Sequence, residues 1–100
     1  MTLFEWDEKK ATSNRRKHGI RFEDAMQVFD DPFALAEHDI REGGEWRRQT
    51  VGMVGGVVVL LVAHTVEEAG QDEIIRIISA RRATRKEHTR YDQSRQKDSY

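Results

Sequence analysis

The chain has no cysteine and a single proline, Pro32. Without cysteine there is no disulfide, no thiolate zinc site and no cysteine nucleophile. Long hydrophobic runs are also missing. The longest uncharged apolar stretch, Val51 to Ala63, is interrupted by Gly52, Gly55 and Gly56. It falls short of the roughly 20 residues that cross a bilayer. Glu5, Asp7 and Glu8 stand where a secretory signal would place a basic start and an apolar run, so the sequence reads as cytoplasmic, with no membrane association. Metal-ligand spacing is lacking too. The histidines at 18, 38, 64 and 88 form neither HxH nor HxxxH, and no phosphate loop or GxSxG is present. No metal or cofactor is expected.

What is present is the composition of one small globular domain: 100 residues, 37% hydrophobic and 35% charged. A chain of this size buries roughly 60–65% of its unfolded surface, enough for one modest core. The net charge of −1 hides a pattern. Residues 1–20 carry five Lys/Arg against three Asp/Glu, and residues 76–100 carry eight against three. Residues 21–75 carry four against twelve. Two basic ends flank an acidic middle. If the ends meet in space they form a face suited to a polyanion. The alternative is that surface helices are simply rich in Arg and Lys.

Hydropathy patterning predicts the order β-α-α-β-β-β-β-α. Leu3 to Trp6 alternates as a short strand. Asp7 caps a helix from Glu8 to Lys17 or His18, which Gly19 stops. Phe22, Ala25, Met26 and Phe29 lie on one face of a second helix, ended by Asp30-Asp31-Pro32. Phe33 to Glu37 reads as a strand and Arg41-Glu42-Gly43-Gly44 as a turn. Glu45 to Met53 alternates as a half-exposed strand, and Gly55-Gly56 turns a hairpin. Val57 to Val66 is a strand buried on both faces, and Glu73 to Ser79 is another. Thr84-Arg85-Lys86-Glu87 is a capping box opening a last helix to about Ser94. The expected architecture is α+β: one domain over 1–94, with an antiparallel sheet packed by N-terminal helices and a C-terminal helix. Residues 95–100 are expected to form a polar tail.

Several residues could carry chemistry. His64 closes the most apolar strand and could serve as a general acid or base; the alternative is a half-buried structural histidine. Arg76 interrupts Ile74-Ile75 and Ile77-Ile78, so it must face outward or be paired. Arg81, Arg82, Arg85 and Lys86 crowd the end of a strand and the start of a helix, an arrangement that suits phosphate oxygens. The alternative is ion pairing with the acidic middle, for example with Glu45 or Glu67. Lys17 and His18 sit at a helix C-terminus, where a simple cap also explains them. Glu45, Arg47 and Gln49 share one strand face, with Trp46 and Arg48 on the other. Glu45 could be a carboxylate base and Trp46 could stack on a nucleobase; either could equally be structural.

These residues also form a familiar series. Phe4-Glu5-Trp6-Asp7, Asn14, Lys17-His18-Gly19, Phe22-Glu23 with Ala25, Val28-Phe29 and Asp31-Pro32 resemble the opening of the BrnT toxin family. Gly44-Glu45 with Arg47, Val51-Gly52, His64-Thr65, and Arg76 through Arg81 with Ala83-Thr84 extend the resemblance to about Tyr91. The resemblance implies a toxin of a bacterial type II toxin–antitoxin pair with a RelE-like fold, which cleaves RNA without a metal and inhibits translation. It implies a BrnA-type antitoxin that neutralises the toxin and carries the DNA-binding domain, so that operator DNA is reached only through the antitoxin. Two positions depart from the family. Arg21 stands where Ser or Thr often caps the second helix, and His88 follows Glu87 where the family often has Arg.

Metal-free RNA cleavage must deprotonate the 2′-OH, stabilise a pentavalent phosphate and protonate the 5′-oxygen. Arg76, Arg81 and Arg82 are the expected phosphate clamp. His64 is the expected acid or base, with Glu45 or Lys17 as counterpart. His18, Arg47, Arg85, Lys86 and Tyr91 are the expected RNA contacts. The competing classes are a toxin that acts by binding an enzyme such as gyrase, and a module that mainly holds its antitoxin.

Overall fold

A computed structural model describes residues 1–97. Its elements follow the expected order: β1 (Thr2–Glu5), α1 (Glu8–His18), α2 (Phe22–Ala25) running into a 3₁₀ turn (Met26–Asp30), β2 (Leu35–Glu42), β3 (Glu45–Val54), β4 (Val58–Ala69), β5 (Asp72–Arg82) and α3 (Arg85–Lys97). The five strands form one sheet in the order β1-β5-β4-β3-β2. Strands β2 to β5 are the expected antiparallel meander. β1, whose place in the sheet the sequence leaves open, lies parallel to β5 at the sheet edge. That placement puts Phe4 beside Ile75, with its ring 5.5 Å from Phe29 under the helical layer.

α1 forms because both ends are capped. Asp7 accepts from the Lys9 and Lys10 N–H groups at 2.8 and 3.4 Å. Gly19 takes the left-handed conformation (φ 70°) and donates its N–H to the Arg15 carbonyl. The helix has almost no apolar stripe, and the one residue it buries is Asn14. The Asn14 amide donates to the Ala80 carbonyl at 2.9 Å and accepts from the Ala80 N–H at 3.0 Å. It also donates to the Ile20 carbonyl. β1 pairs only as far as Arg76, so the side chain of Asn14 takes the place of a neighbouring strand at Ala80.

The second helix is shorter than the apolar spacing predicts. Its α-helical part stops at Ala25, and the 3₁₀ turn lies down on β3. Gly52 makes that approach possible, since a Cβ there would lie 2.8 Å from Val28 Cγ1 and 3.1 Å from the Val28 carbonyl oxygen. β2 continues through Arg41 and Glu42, which the sequence assigns to a turn; Gly43 and Gly44, both at positive φ, make the turn alone. At the other end α3 runs to Lys97, past Ser94. Arg95 is thus helical, with its guanidinium over the Phe33 and Tyr91 rings at 5.7 and 5.9 Å. Residues 98–100 of the expected tail lie outside the described residues.

The sheet has two unlike faces. On one, Leu60, Val62, Ile75, Ile77, Ala80 and Val54 pack against Ile20, Phe22, Ala25 and Val28 of the N-terminal helical layer. On the other, Val51, Val59 and Leu61 receive Tyr91 of α3. α3 has no Val, Leu, Ile, Met or Phe, so Tyr91 is its anchor. The Tyr91 hydroxyl donates to Asp31 Oδ2. Asp31 also accepts from the Met53 N–H at 2.8 Å and the Phe33 N–H at 2.9 Å.

Candidate functional site

One extra residue in β5 decides which arginines meet. Ala63 pairs with Ser79 but His64 pairs with Ile77, which leaves Ile78 as the extra residue of a β-bulge. In a regular strand Arg76 and Arg81, five positions apart, would face opposite ways. Across the bulge they face the same way. Arg76 lies opposite Thr65, Ser79 opposite Ala63 and Arg81 opposite Leu61, all on the α3 face. Arg82, opposite Leu60, faces the N-terminal helices. A second irregularity, between Glu37 and Ile40 in β2, keeps both of those residues on the α3 face.

A row of residues, polar except at Ala63, therefore crosses four strands on this face. Glu37 pairs with Gln49, Gln49 with Ala63, and Ala63 with Ser79. α3 stands at one side of the row, held by two bidentate ion pairs of opposite polarity. Arg81 of β5 donates to Glu87 of α3 at 2.8 and 3.1 Å. Arg90 of α3 donates to Glu37 of β2 at 2.9 and 3.1 Å. Glu87 closes the expected capping box as well, accepting from the Thr84 N–H at 2.8 Å while its own N–H donates to Thr84 Oγ1. The Arg81 guanidinium, against an opposing burial effect and with help from Thr84, brings the Glu87 carboxyl down to about 2. A fixed guanidinium fork results, with its plane set by a carboxylate.

The structure sorts the sequence-derived candidates. Arg47, Arg76 and Arg81 share the α3 face, Glu45 lies farther along the same side of β3, and Arg85 and Lys86 are exposed in the first turn of α3. Arg76 borders a shallow recess with Glu5, Trp6, Asp7 and Glu8. Arg82 is exposed on the opposite face. Lys17 and His18 are exposed at the end of α1, whose basic last turn suits the helix dipole. They do not reach the face that holds Arg76 and Arg81.

Two expectations need correction on burial. His64 is not at an exposed strand end. It is 3% exposed, its Nε2 lies 2.8 Å from Thr50 Oγ1, and Phe29 packs edge-on at 4.8 Å. Burial pushes its pKa down, so the ring is a neutral core group on the N-terminal face. Tyr91 is 1% exposed and cannot offer its ring to RNA. Burial, reinforced by Asp31, raises its hydroxyl to about 12 and keeps it protonated. The residues that sequence reading left out are Ser79, and the Glu37–Arg90 pair. Arg-Ile-Ile-Ser-Ala-Arg held a signal for Ser79: two adjacent isoleucines break strict alternation, as a bulge does.

Comparison with known proteins identifies the family. The family model described as "Ribonuclease toxin, BrnT, of type II toxin-antitoxin system" matches residues 6–87. Among solved structures, the chain is similar to the Brucella abortus ribonuclease toxin BrnT, with 26% identity and a TM-score of 0.57, over 85% of this chain and 99% of that one. A search of curated proteins gives no match. With the match spanning most of its length, the chain belongs to the BrnT family of ribonuclease toxins of type II toxin–antitoxin systems.

Proposed function

We propose that this chain is a cytoplasmic endoribonuclease that cleaves RNA without a metal ion, inhibits translation, and is neutralised by a BrnA-type antitoxin. The observation that carries the reading is the bulge at Ile78, which gathers Arg76, Ser79 and Arg81 on one face beside the Glu37–Gln49–Ala63–Ser79 row. In this reading the 2′-oxygen forms a bond to phosphorus while the bond from phosphorus to the 5′-oxygen breaks. The products are a 2′,3′-cyclic phosphate and a 5′-hydroxyl. Arg76 and Arg81 stabilise the charge on the pentavalent phosphate, as preorganised donors do without reorganisation cost. Arg47, Arg85 and Lys86 hold flanking phosphates. Glu45, four residues and about 13 Å along β3 from Gln49, lies too far out on the strand to reach the 2′-OH of a phosphate held by both arginines; the 2′-OH proton passes to solvent, and solvent returns one to the 5′-oxygen. Glu37 is held in its ion pair with Arg90.

The test is cleavage of RNA by the purified chain in EDTA, with and without the antitoxin, reading the ends. Cyclic or 3′-phosphate ends that disappear with antitoxin support the proposal. Intact RNA in the presence of a folded chain overturns it and favours a binding toxin or an antitoxin-holding module.

A further inference from the structure

We infer that Trp46 is a stacking platform that positions single-stranded RNA at the mouth of the site, an inference that rests on the ribonuclease reading above. The sheet forks beyond the Arg48–His64 pair. On one side, Glu45, Trp46 and Arg47 continue in β3 paired with β2. On the other, Thr65–Ala69 of β4 continue paired with β5, and the β3–β4 register does not extend to either group. The β2–β3 prong therefore stands clear of the rest of the sheet.

Trp46 sits near its tip and is 63% exposed. Trp6 is the internal contrast. It is half-buried, meets Phe22 edge-on at 5.9 Å, and donates its indole N–H to Glu8 at 3.0 Å. Trp6 is explained by the fold and Trp46 is not. The Arg41 guanidinium lies 5.9 Å from the Trp46 ring centroid. A single guanidinium covers one face of an indole and leaves the other for a base. Arg47 and Arg48 follow directly, on opposite faces of the strand, so the ring is flanked by cations that can take the phosphates of a strand passing round the prong. Trp46 is three residues from Gln49 in the polar row, about 10 Å along the strand. Trp46 lies on the face of β3 opposite Gln49, and Gln49 is two strands from Ser79, so a base stacked on Trp46 and a phosphate between Arg76 and Arg81 belong to one single strand that passes round the prong, a few nucleotides apart. An aromatic face beside arginines suits unpaired bases, whose π-faces are free, over duplex RNA.

The experiment compares wild type with Trp46→Phe and Trp46→Ala, with a short 2′-O-methyl oligonucleotide as an uncleavable probe. Subtracting the Trp46→Phe signal removes Trp6 from the fluorescence. Saturable quenching of Trp46 by the oligonucleotide is expected. For cleavage of the matching RNA, Trp46→Ala should raise KM roughly 5- to 150-fold, with kcat changed little. Trp46→Phe should restore much of the affinity, and neither change should move Tm. The inference is overturned if the oligonucleotide binds, by anisotropy of an end label, with Trp46 emission unchanged and KM unaltered in Trp46→Ala. Quenching by the antitoxin and not by the oligonucleotide also overturns it and makes the prong a protein-binding surface. Quenching by the oligonucleotide with no cleavage under any condition preserves the stacking site and defeats the ribonuclease reading instead.

Discussion

The two faces of the sheet are built by different rules. Ten buried residues form the cluster under the N-terminal helices, and four form the cluster under α3. The first face admits two buried polar side chains, Asn14 and His64, each set against a neighbour it can bond. The second holds its helix with one aromatic anchor, two arginine–carboxylate pairs and an aspartate that collects three donors. Stability is concentrated on one face, so the other is free to carry charge. The bulge at Ile78 is what makes the division work. It reverses the alternation within β5, keeping both Ile77 and Ala80 in the core while Arg76 and Arg81 both leave it.

Removing a large side chain from the first face should break the comparison most severely. Phe22 is fully buried at the centre of the larger cluster. Phe22→Ala should cost about 3–5 kcal/mol, a large share of the stability of a domain this small. Urea denaturation reads the loss directly. Activity per folded molecule should hold at low denaturant, because Phe22 is on the far side of the sheet from Arg81. Arg81→Ala is the converse. It should lower the cleavage rate roughly 10²–10³-fold, in a chain whose circular dichroism remains native. Single-turnover kinetics separates that loss from weaker RNA binding. Full activity in folded Arg81→Ala would remove the arginine face from the mechanism.

Much of the first face was legible in the sequence, and less of the second. Caps at Asp7, Gly19 and Thr84–Glu87 are local chemistry and can be read from a few adjacent residues. The buried part of β4 shows itself as an unbroken apolar run, Val58–Ala63. The bulges are different. They come from matching two strands at once, so a single strand's alternation misassigns everything beyond the extra residue: it puts Arg82 on the side of Arg76 and turns Ser79 and Arg81 away. Local sequence leaves His64 between an acid–base group and a structural histidine, because its burial depends on Phe29, 35 positions away in the chain and brought over it by the 3₁₀ turn. Tyr91 could have been placed. In a helix of thirteen residues with no aliphatic side chain, the one aromatic is the residue left to bury. The Glu37–Arg90 pair spans 53 positions and left no local trace.

A smaller change sharpens the contrast by testing what holds α3. Tyr91→Phe keeps the ring and removes one of the three donors to Asp31. A hydrogen bond to a charged group is worth about 1.5–3 kcal/mol, so the variant should lose an amount in that range, the lower end being favoured because the two backbone donors remain. The effect should be local as well. Hydrogen exchange of the α3 amides should quicken, while amides of β4 and β5 exchange as in wild type. Uniform acceleration across the molecule would mean that α3 and the sheet unfold as one unit and that the two faces are not separate in energy.

The smallest expected effect separates the faces by pH. Burial holds His64 below its unfolded value of about 6.5, chiefly by penalising the imidazolium, with the Thr65 backbone opposing. Between the folded and unfolded pKa the unfolded chain carries the extra proton, so stability rises with pH there. This contribution is complete above pH of about 6.5 and is lost as pH falls below it, with a slope no steeper than about 1.4 kcal/mol per pH unit for one proton. Glu87 works in a lower window. Its carboxyl stands at about 2 against an ordinary 4.5, so its contribution is complete above 4.5 and is lost as pH falls toward 2. The mild acid limb therefore belongs to the N-terminal face and the strong acid limb to α3. His64→Gln, which can still bond Thr50, should flatten stability between pH 5 and 7 and leave the limb below 4.5 intact; Glu87→Gln should do the reverse. Denaturation midpoints across pH read both limbs, and a His64→Gln profile that superimposes on wild type would mean that the imidazole titrates freely and that the apolar face is open to water at His64.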